Sequence, residues 1–287
     1  MNRIGLVLEG GALRGLFSAG VMDVLMEHGI EVDGVVGVSA GAAFGSNFVS
    51  RQHGRSLRYN KRFARDWRYC SLRSWWKTGD LFGADFAYHE LPSQHDIFDN
   101  ETFEQNPTEF HLVCTDVETG QAFYKRCDTG GHQFYDYVRA SASMPMVSRV
   151  VEIDGKKLLD GGVADSIPLE YFEKMGFDRN IVVLTQPLGY RKRHNRFMPL
   201  MRISLRKYPK MIEALDQRHV MYNKQLEYVR RREEEGSALV IRPDTAVPIG
   251  HTSHNPDEMQ AAYELGRQKC ERMIEEIKTF VNEGKSK

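Results

Sequence analysis

Cysteine is scarce in this sequence, and its four copies are scattered. Cys70, Cys114, Cys127 and Cys270 form no CxxC pair and no metal-ligand spacing. That excludes a disulfide-stapled scaffold and a zinc module, and free thiols in a reducing compartment are expected. Long apolar runs are missing too: nothing approaches the roughly 18 residues a membrane span needs. Ile4–Leu8, after Arg3 and before Glu9, is too short for a signal-peptide core. Nor is there an excess of one charge, since 39 Lys and Arg balance 39 Asp and Glu in 287 residues. A generally basic nucleic-acid binder is disfavoured, and no nucleic-acid partner is expected. With 41% hydrophobic residues, 25 Gly and 10 Pro, the chain is neither disordered nor collagen-like. A cytoplasmic protein with a sizeable core is the expectation.

The charge balance hides segregation. Residues 51–77 carry nine Arg or Lys and one acid, interleaved with Tyr59, Phe63, Trp67, Tyr69, Trp75 and Trp76. Residues 187–210 carry eight Arg or Lys and no acid, whereas 85–136 carries eleven Asp or Glu and two Arg or Lys. Each run suits a solvated face. The two basic runs also suit a rim that docks on anionic lipid headgroups, so peripheral contact at the inner membrane face is expected.

Short apolar runs punctuated by glycine organise the chain. Ile4–Leu8 and Val32–Val38 read as buried strands, with helices over 16–28 and 40–52. Two such strands joined by a helix form a parallel βαβ unit. Glu118-Thr119-Gly120 and Asp154-Gly155 mark hairpins. A helix over 169–175, a strand over 180–185, two helical pieces meeting near Pro209 and a strand over 238–242 follow. A long helix runs from Pro256 behind Asn255 as its N-cap. Residues 80–107 are weakly periodic and read as loop with short helices; 70–105 is the candidate lid. No linker marks a boundary, so residues 1–195 form the main α/β unit and 196–287 a mainly helical portion packed on it.

Three spots carry chemistry. Gly37-Val38-Ser39-Ala40-Gly41 is a G-x-S-x-G between an apolar strand and an apolar helix, the setting of a nucleophile elbow. Small neighbours permit a strained turn that presents the Ser39 hydroxyl near a helix N-terminus. Gly10-Gly11-Ala12-Leu13-Arg14-Gly15 follows the first strand, where backbone N–H groups can hold an oxyanion or phosphate. Arg14 would hold the loop or a ligand phosphate. Asp160-Gly161-Gly162 ends a strand, where an acidic side chain can approach a neighbour closely, although taken alone an Asp-Gly-Gly segment reads as a solvated turn.

Together these segments, with Ala140-Ser141-Ala142-Ser143-Met144-Pro145 and Asp165-Ser166-Ile167-Pro168, resemble the bacterial patatin-like phospholipases over residues 4–170. The resemblance implies a three-layer α/β/α domain with a central, mostly parallel sheet. It implies a lipid acyl hydrolase with a Ser-Asp dyad, Ser39 as nucleophile and Asp160 as base, needing no metal or other cofactor. The N–H groups of Gly10, Gly11 and Ala12 would form the oxyanion hole. Arg14, Gly15, Gly37, Gly41, Gly161 and Gly162 would support the loop and the elbow. One departure is visible: Ala12 stands where the family usually has a third glycine, and alanine resists a positive φ.

Other readings remain in view. His194, His219, His251 and His254 follow Asp160 in the order of a Ser-acid-His triad, but none sits in a recognisable strand-end loop. His251 and His254 read as surface loop rather than a metal pair, for want of a third ligand. The loop Gly10–Gly15 approximates a dinucleotide fingerprint, yet the second strand lacks the acidic residue that would bind ribose. A catalytically silent acyl-binding scaffold would share the fold but should not need both Ser39 and Asp160.

Overall fold

The computed structural model describes residues 2–285. β1 (Ile4–Leu8) leads through the glycine loop into α1 (Gly15–Glu27). β2 (Gly34–Val38) returns parallel to it and turns sharply into α2 (Ala40–Val49). Then come α3 (Arg55–Phe63), α4 (Leu72–Thr78), a π-helical segment over Phe86–His95 and α5 (Asn100–Gln105). The hairpin of β3 (Glu109–Asp116) and β4 (Ala122–Arg126) precedes α6 (His132–Ala142). A second hairpin, β5 (Val151–Ile153) and β6 (Lys156–Asp160), leads to α7 (Leu169–Lys174) and β7 (Arg179–Val183). The chain closes with α8 (Met198–Ser204), α9 (Pro209–Glu234), β8 (Ala238–Ile241) and α10 (Pro256–Lys285).

All eight strands join one sheet, ordered β5-β6-β3-β2-β1-β7-β8, with β4 on the other side of β3. β3, β2, β1, β7 and β8 run parallel, and the two hairpins add antiparallel pairs at one end. Strand alternation builds the layers. Ile4, Leu6 and Leu8 face one core cluster with α1, α2, α6 and α10; Val7 faces another with Phe172 of α7 and Tyr222 of α9. Both faces of the sheet are therefore covered, which explains why its strands read as continuous apolar runs. The result is a three-layer α/β/α architecture.

Local signals act as the sequence suggests. Asp154 and Gly155 both have positive φ, 49° and 72°, as a two-residue type I′ turn requires. Asp257 N–H donates to Asn255 Oδ1 at 3.0 Å, capping α10. Two segments differ from expectation. Phe86 and Leu91 are buried five residues apart within π-helical backbone, a spacing that a 3.6-residue search does not detect. The run 51–77 is only partly a solvated face: Arg55 is buried and bonded to Asn47 and the Asp96 carbonyl, and Arg58 pairs with Asp96.

Candidate active site

β2 ends at Val38, and Ser39 takes φ 55° and ψ −120°, a conformation that costs a non-glycine residue about 1–3 kcal/mol. The turn is too tight for neighbouring side chains. A Cβ on Gly37 would stand 2.3 Å from the Gly41 carbonyl oxygen, and one on Gly41 2.5 Å from that of Leu8. Ser141 on α6 holds the strained residue. Its hydroxyl accepts the Ser39 N–H at 3.0 Å and donates to the Val113 carbonyl of β3 at 2.6 Å.

Strand register brings Asp160 to this serine. Val38 of β2 pairs with Val113 of β3, and Asp160 of β6 pairs with Cys114, the next residue along β3. β4 occupies the opposite edge of that stretch, so β2 and β6 meet end to end on the same edge. The Ser39 side chain faces the Asp160 carboxyl and helps hold its pKa down. Gly162 N–H donates to Asp160 Oδ1 at 2.8 Å, and the Gly162 carbonyl accepts from Arg218 Nε at 2.6 Å. Burial pushes the Asp160 carboxyl above the usual carboxylate range, opposed by Arg218 and Ser39. Gly161 packs flat on β3, where a Cβ would stand 2.1 Å from the Val113 carbonyl oxygen.

The glycine loop runs against the serine: a Cβ on Gly10 would lie 3.1 Å from that of Ser39. Among the described residues, the N–H groups of Gly10, Gly11 and Ala12 find no protein acceptor. Free donors beside a nucleophile are what an oxyanion hole requires. Ala12 adopts φ 49°, so the alanine takes the left-handed backbone that glycine would take more easily. Gly15 lets α1 begin against Ala40 of α2. Glu9, part of the Leu8–Gly15 segment that carries the family resemblance but given no role there, braces the loop. Its carboxyl accepts from Thr185 N–H and Tyr222 OH, each at 2.5 Å, and burial raises its pKa against those bonds.

Two cavities meet at Ser39, sharing Ala12, Ser39 and Met144. The first, about 870 Å³ with its mouth, is walled largely by apolar and aromatic side chains such as Phe44, Tyr88, Leu91, Phe98 and Phe134. Part of the candidate lid thus forms a wall of it. The second, about 910 Å³, is polar and contains Arg14, Lys192, Arg218 and His251 beside Asp160. Of these four, sequence reasoning placed Arg14 at the site and read His251 as surface loop, whereas the structure puts His251 in the cavity; Lys192 and Arg218 lie in segments without motif. Burial and the nearby Arg218 pull the Lys192 pKa down to about 8.

The remaining histidines lie elsewhere. His194 pairs with Asp216, His219 bonds the Asp216 carbonyl and His254 the Ala64 carbonyl. His251 alone of the four reaches the Ser39 cavities, and its Nε2 bonds Arg14 Nη1 at 2.8 Å. The described residues that could hold a metal ion are His89, His132 and Asp136, with ligand atoms within 4.8 Å of one another; they line neither cavity. Two short helices carry exposed apolar side chains. Leu72 and Trp76 on α4 are 76% and 84% exposed, and Phe197 and Ile203 at α8 are 60% and 69% exposed. Gly79, which ends α4, packs on Arg149, and Met201 of α8 lines the polar cavity with Met144 and Val147. No helix among the described residues is long and apolar enough to cross a membrane.

A serine at a strained strand-to-helix turn, on a three-layer α/β/α sheet, defines the nucleophile-elbow class. The family model for patatin-like phospholipases matches residues 6–173, and one for a domain of unknown function (DUF6363) matches 208–282. The chain belongs to the patatin-like phospholipase family. It is 28% identical over 199 residues to the uncharacterized protein YjjU of Escherichia coli, covering 65% of this chain and 53% of that one. It is 29% identical over 180 residues to lysophospholipase nte1 of Emericella nidulans, covering 61% and 11% of the two chains. Neuropathy target esterase sws of Drosophila melanogaster is 32% identical over 181 residues, covering 61% and 12%. The chain thus matches about half of the first relative and about a tenth of the others. VipD from Legionella pneumophila shares the fold, with a TM-score of 0.52 at 12% identity, covering 96% of this chain and 67% of that one.

Proposed function

We propose that this protein is a lipid acyl hydrolase that cleaves carboxylic esters through Ser39 and Asp160. The observation that carries this is the strained Ser39, set beside a buried carboxyl where an apolar cavity meets a polar one. The acyl chain enters the apolar cavity and the ester carbonyl lies over Ser39. The hydroxyl attacks as Asp160 takes its proton, while the N–H groups of Gly10, Gly11 and Ala12 hold the oxyanion. The carbonyl re-forms, and the alcohol leaves with the proton from Asp160. Water, deprotonated by Asp160, then hydrolyses the acyl-serine and frees the fatty acid. The raised Asp160 pKa makes it a stronger base than an ordinary carboxylate. The lysophospholipase named among the relatives supports a lipid substrate.

Three further readings belong with this one. Residues 1–195 form the catalytic unit, and 196–287 pack on the same domain. Residues 70–105 act as its lid. The exposed apolar side chains of α4 and α8, set among basic residues, dock the mouth on an anionic membrane surface.

Purified wild type should react with a fluorophosphonate and release fatty acid from lysophospholipid. Ser39→Ala should do neither, and Asp160→Asn should lose about 100-fold or more in turnover while remaining folded. Near-wild-type turnover in Asp160→Asn would exclude the dyad.

A further inference from the structure

The polar cavity beside Ser39 holds more positive charge than the reaction needs. Arg14 comes from the start of α1, Lys192 from the loop after β7, Arg218 from α9 and His251 from the turn before α10. Four segments far apart in sequence thus aim basic groups into one space. Among the described residues none of Arg14, Lys192 and Arg218 is in an ion pair with a carboxylate, although Arg218 and Lys192 act on Asp160, and Arg14 on Glu9, at longer range. Arg14 Nε is buried without a partner, and Lys192 Nζ lies over the Tyr222 ring, 4.5 Å from its centre. The two acids that face the cavity are already engaged: Glu9 by Thr185 and Tyr222, Asp160 by Ser39 and Gly162. Converging cations left unpaired in a partly desolvated space are costly, and an anion seated among them removes that cost.

The position of this charge identifies the anion. An ester straddling Ser39 with its acyl chain in the apolar cavity must place its alcohol portion in the polar one. Among the described residues, Tyr222 is the only Phe, Tyr or Trp lining the polar cavity, and Lys192 covers it. No aromatic cage remains for a quaternary ammonium group. We propose that Lys192, Arg218, Arg14 and His251 seat the phosphate of a glycerophospholipid, and that the protein selects anionic headgroups over zwitterionic ones. This rests on the acyl hydrolase reading and adds the substrate class to it.

The test compares lysophospholipids of one acyl chain bearing phosphate, phosphoglycerol or phosphocholine. Wild type should show kcat/KM roughly tenfold or more higher for the first two. Lys192→Met should lower that ratio roughly tenfold, chiefly through KM, and Lys192→Arg should restore it. Equal rates on all three headgroups would overturn the proposal and leave the hydrolase intact. Binding is measured separately, by calorimetry on Ser39→Ala with ether-linked lysolipids that cannot be cleaved. Tighter binding of the phosphate form than the phosphocholine form supports the seat even if no ester is hydrolysed, in which case only the hydrolase reading fails. Inorganic phosphate and glycerol 3-phosphate form the last arm. Binding of either as tight as that of the ether lysolipid would mark a site for small free phosphates and overturn the lipid assignment.

Discussion

Ser141→Ala tests how the nucleophile is held. Ser141 is fully buried on α6, and its hydroxyl connects the Ser39 N–H at 3.0 Å to the Val113 carbonyl at 2.6 Å. Removing it leaves a buried N–H without an acceptor, which costs about 1–3 kcal/mol. Val113 also loses a donor, a net loss of about 0.5–1.5 kcal/mol. Together these give roughly 2–4 kcal/mol, and for a domain of this size Tm should fall by roughly 4–8 °C. Activity should suffer more than stability. Ser39 sits at φ 55° and ψ −120° only because its surroundings hold it there. With one restraint gone the hydroxyl can relax away, and a displacement of about 1 Å costs about 100-fold in rate. The assay pairs thermal unfolding by circular dichroism with the rate of fluorophosphonate labelling. A variant with wild-type Tm and wild-type labelling rate would refute the account of the elbow.

Two further predictions follow from the site. Because burial raises the Asp160 pKa, the acid limb of kcat/KM should lie above the ordinary aspartate midpoint of about 4. The native state binds this proton more tightly than the unfolded chain does. Between the unfolded and folded pKa values, lowering the pH should therefore add stability from this group while removing activity; an acid limb at or below the ordinary midpoint would contradict the burial argument. On vesicles, binding should rise with anionic lipid and fall with salt. Trp76→Ala combined with Phe197→Ala should weaken it roughly tenfold or more, from the lost apolar burial. Equal affinity for neutral vesicles would rule out the docking face.

The parts of the site that were legible in the sequence are those where backbone geometry restricts residue type. Gly37 and Gly41 have no room for a Cβ, and Asp154-Gly155 needs two positive φ angles, so both leave short local signatures. Lys192, Arg218 and His251 were not legible, because a side chain reaching a cavity from a loop or helix obeys no spacing rule. Ser141 lay within a segment noted for resemblance, but its role depends on a contact with Ser39, 102 residues away. The basic run 51–77 misled in part, since composition does not reveal that Arg55 turns inward to Asn47 and Asp96.

Serine and aspartate are fixed by pairing along one edge of β3, whereas the cavity walls come from other stretches of chain. The apolar cavity is walled mainly by residues 43–142, from α2, α3, the π-helical segment and α6. Beyond Ser39, Asp160 and the loops beside them, the polar cavity is lined largely by the chain after β7. Reactivity and substrate choice are thereby separable inheritances. Wall side chains of one cavity can change to suit a longer or shorter chain, and those of the other to suit a different headgroup, while the β3 register is left untouched. Exchanging only the wall side chains of either cavity between relatives, with β3 and Ser141 left in place, would test this separation.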